Sequence, residues 1–439
     1  MEVLVMIGQL ILGLSILVFF HELGHYTAAR AFGIKVEKFY LFFDAWGFKL
    51  FSFKRGDTEY GIGWLPFGGY VKIAGMIDES MDTEQMQKAP EPWEFRSKPA
   101  WQRLIVMIAG VVVNAVLAVF IFALMVWHYG ETYLPNSQVK YGIVAHELAK
   151  EIGLQTGDKI VSINGQTLER FEDILSPKVL LGENMVLNID RNGTLMDIAI
   201  PDDFANKFTD KRDAFLDKRM TFFVAQPLPG SNASKAGLKP EDRIIALNGN
   251  PFSFFDEFQQ LLKDNKEKEV QLSVLRSTDT LLLKAKVDAD GKLGFMPDTK
   301  DFELKTIEYT LAQAIPIGTT KAWNALADNA RGLSKIFKGK VSASKSVQGP
   351  IGIAQIYGGQ WIWSKFWYLT GLISIILAFM NILPIPALDG GHVVFLIAEM
   401  IKGKPLSIKF MEKAQMVGMV LLFGLMIFAV FNDVIKLLF

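Results

Sequence analysis

The residues of this chain best suited to chemistry are His21-Glu22-Leu23-Gly24-His25. On a helix, positions i and i+4 lie one turn apart on the same face, so both imidazoles can reach one ion while the glutamate beside them is free to accept a proton. Metal-assisted hydrolysis needs this set: an ion that lowers the pKa of water and polarises a carbonyl, and a carboxylate that moves the water proton to the leaving group. A catalytic zinc site takes three protein ligands and keeps one position open. With five histidines and no cysteine, thiolate sites, disulfides and a cysteine nucleophile are excluded, and the third ligand must be His, Asp or Glu. A second polar cluster, Asn381-Ile382-Leu383-Pro384-Ile385-Pro386-Ala387-Leu388-Asp389-Gly390-Gly391-His392, offers Asp389 and His392 at i and i+3, and spacing does not choose between them.

The elements that must position these residues are membrane helices. Half of the 439 residues are hydrophobic and 21% are charged. The apolar residues gather in four uncharged blocks: Val3 to Phe20, Leu104 to Trp127, Phe366 to about Leu388, and Met416 to about Phe431. The first block is not read as a signal peptide, because it has no basic n-region or small-residue cleavage site and runs directly into His21. Ionisable groups at the end of such a span are expensive to bury, which marks a functional site. The two prolines after Asn381 break the third span, tolerated at membrane depth only where freed backbone is buried in protein or lines a wet cavity.

Arg96, Lys98 and Arg103 precede the second span, and Lys402, Lys404, Lys409 and Lys413 lie between the third and fourth. By the positive-inside rule both regions face the cytoplasm, so residues 128–365 and both chain ends face outward. His128 and His146 then fall on the wrong side for the metal. The 46 acidic and 46 basic residues balance, and no basic surface points to nucleic acid.

The external segment repeats at an offset of 84 residues: Gly153-Leu154-Gln155-Thr156-Gly157-Asp158 through Ile163-Asn164-Gly165 aligns with Gly237-Leu238-Lys239-Pro240-Glu241-Asp242 through Leu247-Asn248-Gly249. Each copy reads as a strand, an Asn-Gly turn, a short helix (Phe171 to Leu180; Phe254 to Leu262) and a further strand (Asn184 to Arg191; Glu269 to Arg276). The pattern resembles bacterial PDZ domains, which bind extended peptides or C-termini by strand addition. Steric exclusion of substrates is the alternative role for such units. Leu311 to Phe337 is amphipathic, suited to the outer membrane surface or to packing on the second PDZ-like unit.

The combination of His21-Glu22-x-x-His25 with Asn381-x-x-Pro384-x-Pro386-x-Leu388-Asp389-Gly390-Gly391-His392 resembles the site-2 protease family of intramembrane zinc metalloproteases. The two PDZ-like units narrow the resemblance to its regulator of sigma-E protease branch. Gly68-Gly69-Tyr70-Val71-Lys72, Lys98-Pro99-Ala100-Trp101-Gln102-Arg103-Leu104, Asn114 and Gly349-Pro350-Ile351-Gly352-Ile353 extend it along nearly the whole chain. Val111 stands where many relatives carry proline.

The resemblance implies one Zn2+ per chain held by His21, His25 and Asp389, with Glu22 as general base and Asn381 against the substrate backbone. It implies a polytopic α-helical membrane protein with four transmembrane helices, a small membrane-associated β-sheet and two external PDZ-like α+β domains. The expected divisions are a first span over 1–33, the β-region over 34–100, a second span over 101–128, PDZ-like domains over 129–205 and 206–300, an amphipathic region over 301–364, and spans over 365–401 and 402–439. Substrates would be single-span membrane proteins, anti-sigma factors or remnant signal peptides, unwound so that a strand can pair with the sheet edge near Gly68, Gly69 and Tyr70, with Asn114 also in the substrate-binding set. Peptides or C-termini would bind at the PDZ-like domains, and the expected location is a bacterial inner membrane, PDZ-like domains and termini periplasmic and the active site toward the cytoplasm. A metal transporter or channel with PDZ-like sensors is the alternative, since ionisable residues in spans also mark ion paths; such a protein has no need of Glu22 at that spacing.

Overall fold

The computed structural model describes residues 2–66, 68–76, 89–201, 204, 207, 208, 215–339 and 348–438. Residues 67 and 77–88 of the expected β-region lie outside the described residues. The described chain divides into two compact units, one of residues 2–130, 308–337 and 348–438, the other built on residues 131–307.

The first unit contains four helices long and apolar enough to cross a bilayer. They are α1 (Glu2–Ala31), α2 (Ala100–Tyr129), α5 (Trp363–Asn381) and α7 (Ile408–Leu438). Each begins before its apolar block, because a helix continues through polar flanks for as long as its backbone bonds close on themselves. Val420, Leu421, Phe423, Ile427 and Phe431 of α7 are all more than half exposed, a surface that lipid and not water would cover. Gln9, which interrupts the first apolar block, donates to the carbonyls of Gly358 and Gln360 (2.9 and 3.4 Å), so a polar group at membrane depth holds the segment that follows α4 (Pro350–Tyr357).

Helix α2 is the spine of this unit, packed by α1, α5 and α6 (Asp389–Lys402). It is also packed by α3 (Leu311–Phe337), a partner that the amphipathic pattern did not suggest. Ala322 of α3 shares a core with Ala118 and Phe122 of α2 and with Ile375 and Ala378 of α5.

The stretch expected as one span over 365–401 is two helices, α5 and α6, joined by a folded turn at residues 382–388. Pro384 and Pro386 cannot donate to a continuing helix, Ala387 adopts a φ of 79°, and its N–H is received by Gln415 Oε1 of α7 at 3.2 Å. A Cβ on Gly391 would meet the Ile385 carbonyl oxygen at 2.6 Å, so only glycine lets the chain double back this tightly before Asp389 opens the next helix.

Between α1 and α2 lies a four-stranded sheet of order β2-β3-β1-β4, formed by β1 (Val36–Leu41), β2 (Lys49–Arg55), β3 (Thr58–Gly63) and β4 (Tyr70–Ile73). β1 runs parallel to β3 and antiparallel to β4, so β4 and β2 are the edges. Trp46, Phe48, Leu50, Phe51 and Phe53, at and before β2, are at least half exposed.

The second unit carries the repeat as two sheets of the same plan. One has the order β8-β7-β5-β6, built from β5 (Lys159–Ile163), β6 (Gln166–Thr167), β7 (Met185–Arg191) and β8 (Thr194–Ile200). Its counterpart is β10-β9-β11-β12, from β9 (Arg243–Leu247), β10 (Asn250–Pro251), β11 (Glu269–Arg276) and β12 (Asp279–Lys286). Alternation places Val270, Leu272 and Val274 in the second core, as Leu187 and Ile189 are in the first. The Asn-Gly turns match, with φ of 49° at Asn164 and 51° at Asn248. Expected as one helix, Phe171 to Leu180 is a 3-10 turn (Phe171–Leu175) followed by a short helix (Pro177–Leu180), because Pro177 cannot extend the first.

Candidate metal centre

His21 and His25 project from one face of α1 toward α2, and Asp389, first residue of α6, meets them there. The two Nε2 atoms stand 3.3 Å apart, and Asp389 Oδ2 lies 3.3 Å from that of His21 and 3.4 Å from that of His25. Three atoms that each offer a lone pair therefore form a nearly equilateral triangle. Asp389 Oδ2 is buried and has no hydrogen-bond partner. Left so, acceptors facing acceptors are unfavourable; a shared cation resolves the conflict. Ligand atoms bonded at about 2.0–2.1 Å to a tetrahedral ion stand roughly 3.3–3.4 Å apart, so this donor set fits zinc. An ion held by these three residues would keep one coordination position for water or substrate.

The site depends on close approach of α1 and α2. A Cβ on Gly110 would crowd His25 Nε2 and lie 2.7 Å from His21 Cε1, and one on Gly24 would lie 2.6 Å from the Ala109 carbonyl oxygen. Val106 O accepts from His25 Nδ1 at 2.8 Å, which leaves the Nε2 lone pair pointing at Asp389. Arg103 at the start of α2 forms a two-pronged ion pair with Glu399 of α6, through Nη1 to Oε2 at 3.1 Å and through Nη2 to Oε1. That pair ties the helix bearing Asp389 to the helix that supports the histidines.

Glu22 stands beside the triangle and against the sheet: a Cβ on Gly69 would lie 3.6 Å from Glu22 Cγ and 2.6 Å from Val18 Cγ1. Gly69 therefore brings the start of the β4 edge to the glutamate. The Tyr70 hydroxyl donates to Asp44 Oδ1 (2.8 Å) and receives Lys38 Nζ (3.2 Å), while its ring stacks on Tyr40 and Phe43. Burial, and then the bond to the Asp44 carboxylate, push that hydroxyl well above its ordinary range, so it stays a protonated donor. The Tyr70 side chain is thus committed to the sheet, and what the edge can offer is backbone. A Cβ on Gly68 would lie 2.9 Å from Cε2 of the Phe43 ring.

Asn381 Nδ2 lies 3.3 Å from His21 Nε2, and Asn114 Nδ2 lies 3.3 Å from His21 Nδ1. Both asparagines thus meet the same imidazole from opposite sides. His392 packs on Phe395, His128 on Tyr129, and His146 bonds Asp217. Among the described residues the group able to hold a metal contains His21, His25 and Asp389. Sequence reasoning passed over Val106, Gly110 and the Arg103–Glu399 pair. The four-residue spacing of Val106, Gly110 and Asn114 on α2 was the available signal for a shared face.

A His-Glu-x-x-His face on a membrane helix, completed by an aspartate from a helix near the other end of the chain, defines an integral-membrane metalloprotease. The chain belongs to Peptidase family M50, whose profile matches residues 9–425. It is similar to the regulator of sigma-E protease RseP of Escherichia coli K12, at 30% identity over 474 residues covering 98% of each chain. It is also similar to the regulator of sigma E protease of Haemophilus influenzae (29% over 463 residues, 98% of this chain and 99% of the relative). A Neisseria meningitidis protein provisionally named a zinc metalloprotease matches at 31% over 461 residues and 98% of each chain. The protein is a zinc metalloprotease of the site-2 type.

Proposed function

We propose that this protein cleaves single-span membrane proteins, anti-sigma factors or remnant signal peptides, within or at the edge of their transmembrane helices. His21, His25 and Asp389 hold one zinc per chain, Glu22 is the general base, and Asn381 presents an amide donor to the substrate backbone. The observation that carries this reading is the triangle of lone-pair atoms with a carboxylate unpartnered at its corner, beside Glu22. Zinc held there supplies a Lewis acid that polarises the scissile carbonyl and makes water nucleophilic near neutral pH. The Glu22 carboxylate takes a proton from the attacking water and delivers it to the departing amide nitrogen.

A helical substrate hides its carbonyls in its own hydrogen bonds, so it must be unwound, and the freed backbone groups need new partners at membrane depth. The β4 edge beside Glu22 supplies them by strand addition, with Gly68 and Gly69 keeping the approach free of side chains. The exposed aromatic face around β2 suits contact with the bilayer. The paired sheets of the second unit act as external PDZ-like domains that receive peptides or C-termini or exclude bulky proteins. The location is a bacterial inner membrane, with those domains and both termini periplasmic and the metal toward the cytoplasmic side; Lys402 at the end of α6, Lys404 after it, and Lys409 and Lys413 at the start of α7 support it.

The test pairs wild type with Glu22→Gln in zinc quantification and in cleavage of a model single-span substrate. Both proteins should bind zinc, and cleavage should fall by about 10²–10⁴-fold in the variant. Full cleavage by Glu22→Gln would overturn the assignment of the base.

A further inference from the structure

Two imidazoles that aim Nε2 at one ion each need the proton kept on Nδ1, and something must receive it. For His25 the receiver is the Val106 carbonyl oxygen. For His21 the neighbour is the Asn114 carboxamide, and its nitrogen faces Nδ1 at 3.3 Å. With Nε2 committed to the triangle, that arrangement sets a donor against a donor. The Asn114 oxygen meanwhile is buried without a hydrogen-bond partner. One change removes the donor–donor contact and gives the oxygen a partner: turned over about its Cβ–Cγ bond, the carboxamide keeps its shape, places Oδ1 on the ring N–H and moves its NH2 to the position that Oδ1 held.

The backbone fixes Asn114 for this task. Ser374, fully buried in α5, donates its hydroxyl to the Asn114 carbonyl oxygen at 2.8 Å, so the asparagine is pinned in place by a neighbouring helix. Val106, Gly110 and Asn114 are spaced by four on α2 and present, in order, a carbonyl, a gap and a carboxamide to the two rings. The gap at Gly110 lets the rings sit against the helix, and the polar groups above and below take their Nδ1 atoms.

We infer that Asn114 is a positioning residue for His21, its carboxamide oxygen accepting the Nδ1 proton and holding the Nε2 lone pair on the metal, and not a substrate contact. This rests on the metal-site reading given above. The experiment compares Asn114→Leu, close in volume without an acceptor, with Asn114→Asp, which keeps one, in the full-length protein in detergent. Zinc retention against a competing chelator is measured beside thermal unfolding, and the His21 tautomer is read from nitrogen-15 chemical shifts of the histidines in the zinc-loaded protein. Expected results are zinc affinity lowered about 10–100-fold in Asn114→Leu, affinity at or above wild type in Asn114→Asp, and an Nδ1-protonated His21 in wild type. Wild-type zinc affinity in Asn114→Leu, or equal losses in both variants, would overturn the inference. His21→Ala and Asp389→Ala run in the same assay: if they lose zinc while Asn114→Leu keeps it, only the role of Asn114 fails, and if they keep zinc the metal site fails and the inference with it.

Discussion

Asp242 in the second unit and Asp389 in the first are both carboxylates withdrawn from water, and their surroundings are opposite. Asp242 accepts from the Lys239 backbone N–H at 2.8 Å and from Arg276 Nε and Nη2 at 2.7 Å each, so its charge is met by donors on every side. The first repeat holds Asp158 the same way, from Gln155 N and Arg191. Asp389 Oδ2 faces two imidazole nitrogens at 3.3 and 3.4 Å and no donor. A saturated carboxylate staples a fold, whereas a carboxylate aimed at other lone pairs marks a place for a cation. The partners differ in origin too: Arg276 is 34 residues from Asp242 and repeats with the domain, while the histidines come from the opposite end of the chain.

The largest effect expected on this contrast is at the metal. Asp389→Ala should abolish stoichiometric zinc binding and cleavage while leaving thermal unfolding in the absence of zinc near wild type, since no donor loses its partner; zinc content by mass spectrometry checks it. Retained zinc would make Asp389 a structural carboxylate like Asp242.

A smaller effect is expected at the tie between α2 and α6. Arg103→Ala strands the Glu399 carboxylate in a site where both side chains are mostly buried, and it should lower stability by about 3–5 kcal/mol, read from denaturation in detergent, with weaker zinc retention because α6 carries Asp389. A variant that unfolds like wild type would show that packing alone holds α6.

The smallest lies in the repeat. Burial raises the Asp242 carboxyl, and the Arg276 hydrogen bonds and the Lys239 N–H outweigh it, so the group is held below its ordinary 3.8. A depressed folded value means stability that is present above the ordinary pKa and lost as pH falls through the folded one. Asp242→Asn should cost about 1–3 kcal/mol at neutral pH, leave zinc content unchanged, and remove part of the acid sensitivity below about pH 4. Calorimetry of the full chain between pH 6 and pH 2 reads this, and a zinc loss in the variant would erase the distinction between the two carboxylates.

The same contrast explains what was legible. Repeats, turns and strands of the second unit are written locally, because Asn164-Gly165 and Asn248-Gly249 carry the positive φ their turns demand and strand burial alternates residue by residue. Boundaries slipped where one residue cut a pattern, as at Pro177. The packing of α3 on α2 was hidden because an amphipathic face does not name its partner.

For the metal centre, the sequence by itself determined that His21 and His25 share a helix face with Glu22 beside them, since helical periodicity follows from backbone geometry alone. It also determined that the third span breaks after Asn381, since two prolines forbid continuation. Only tertiary structure decided that Asp389 and not His392 turns toward the histidines, because that depends on the folded turn at residues 382–388 and its bond to Gln415. The support from Val106 was likewise decided there: a backbone carbonyl is present at every residue, and only packing selects the one that meets an imidazole.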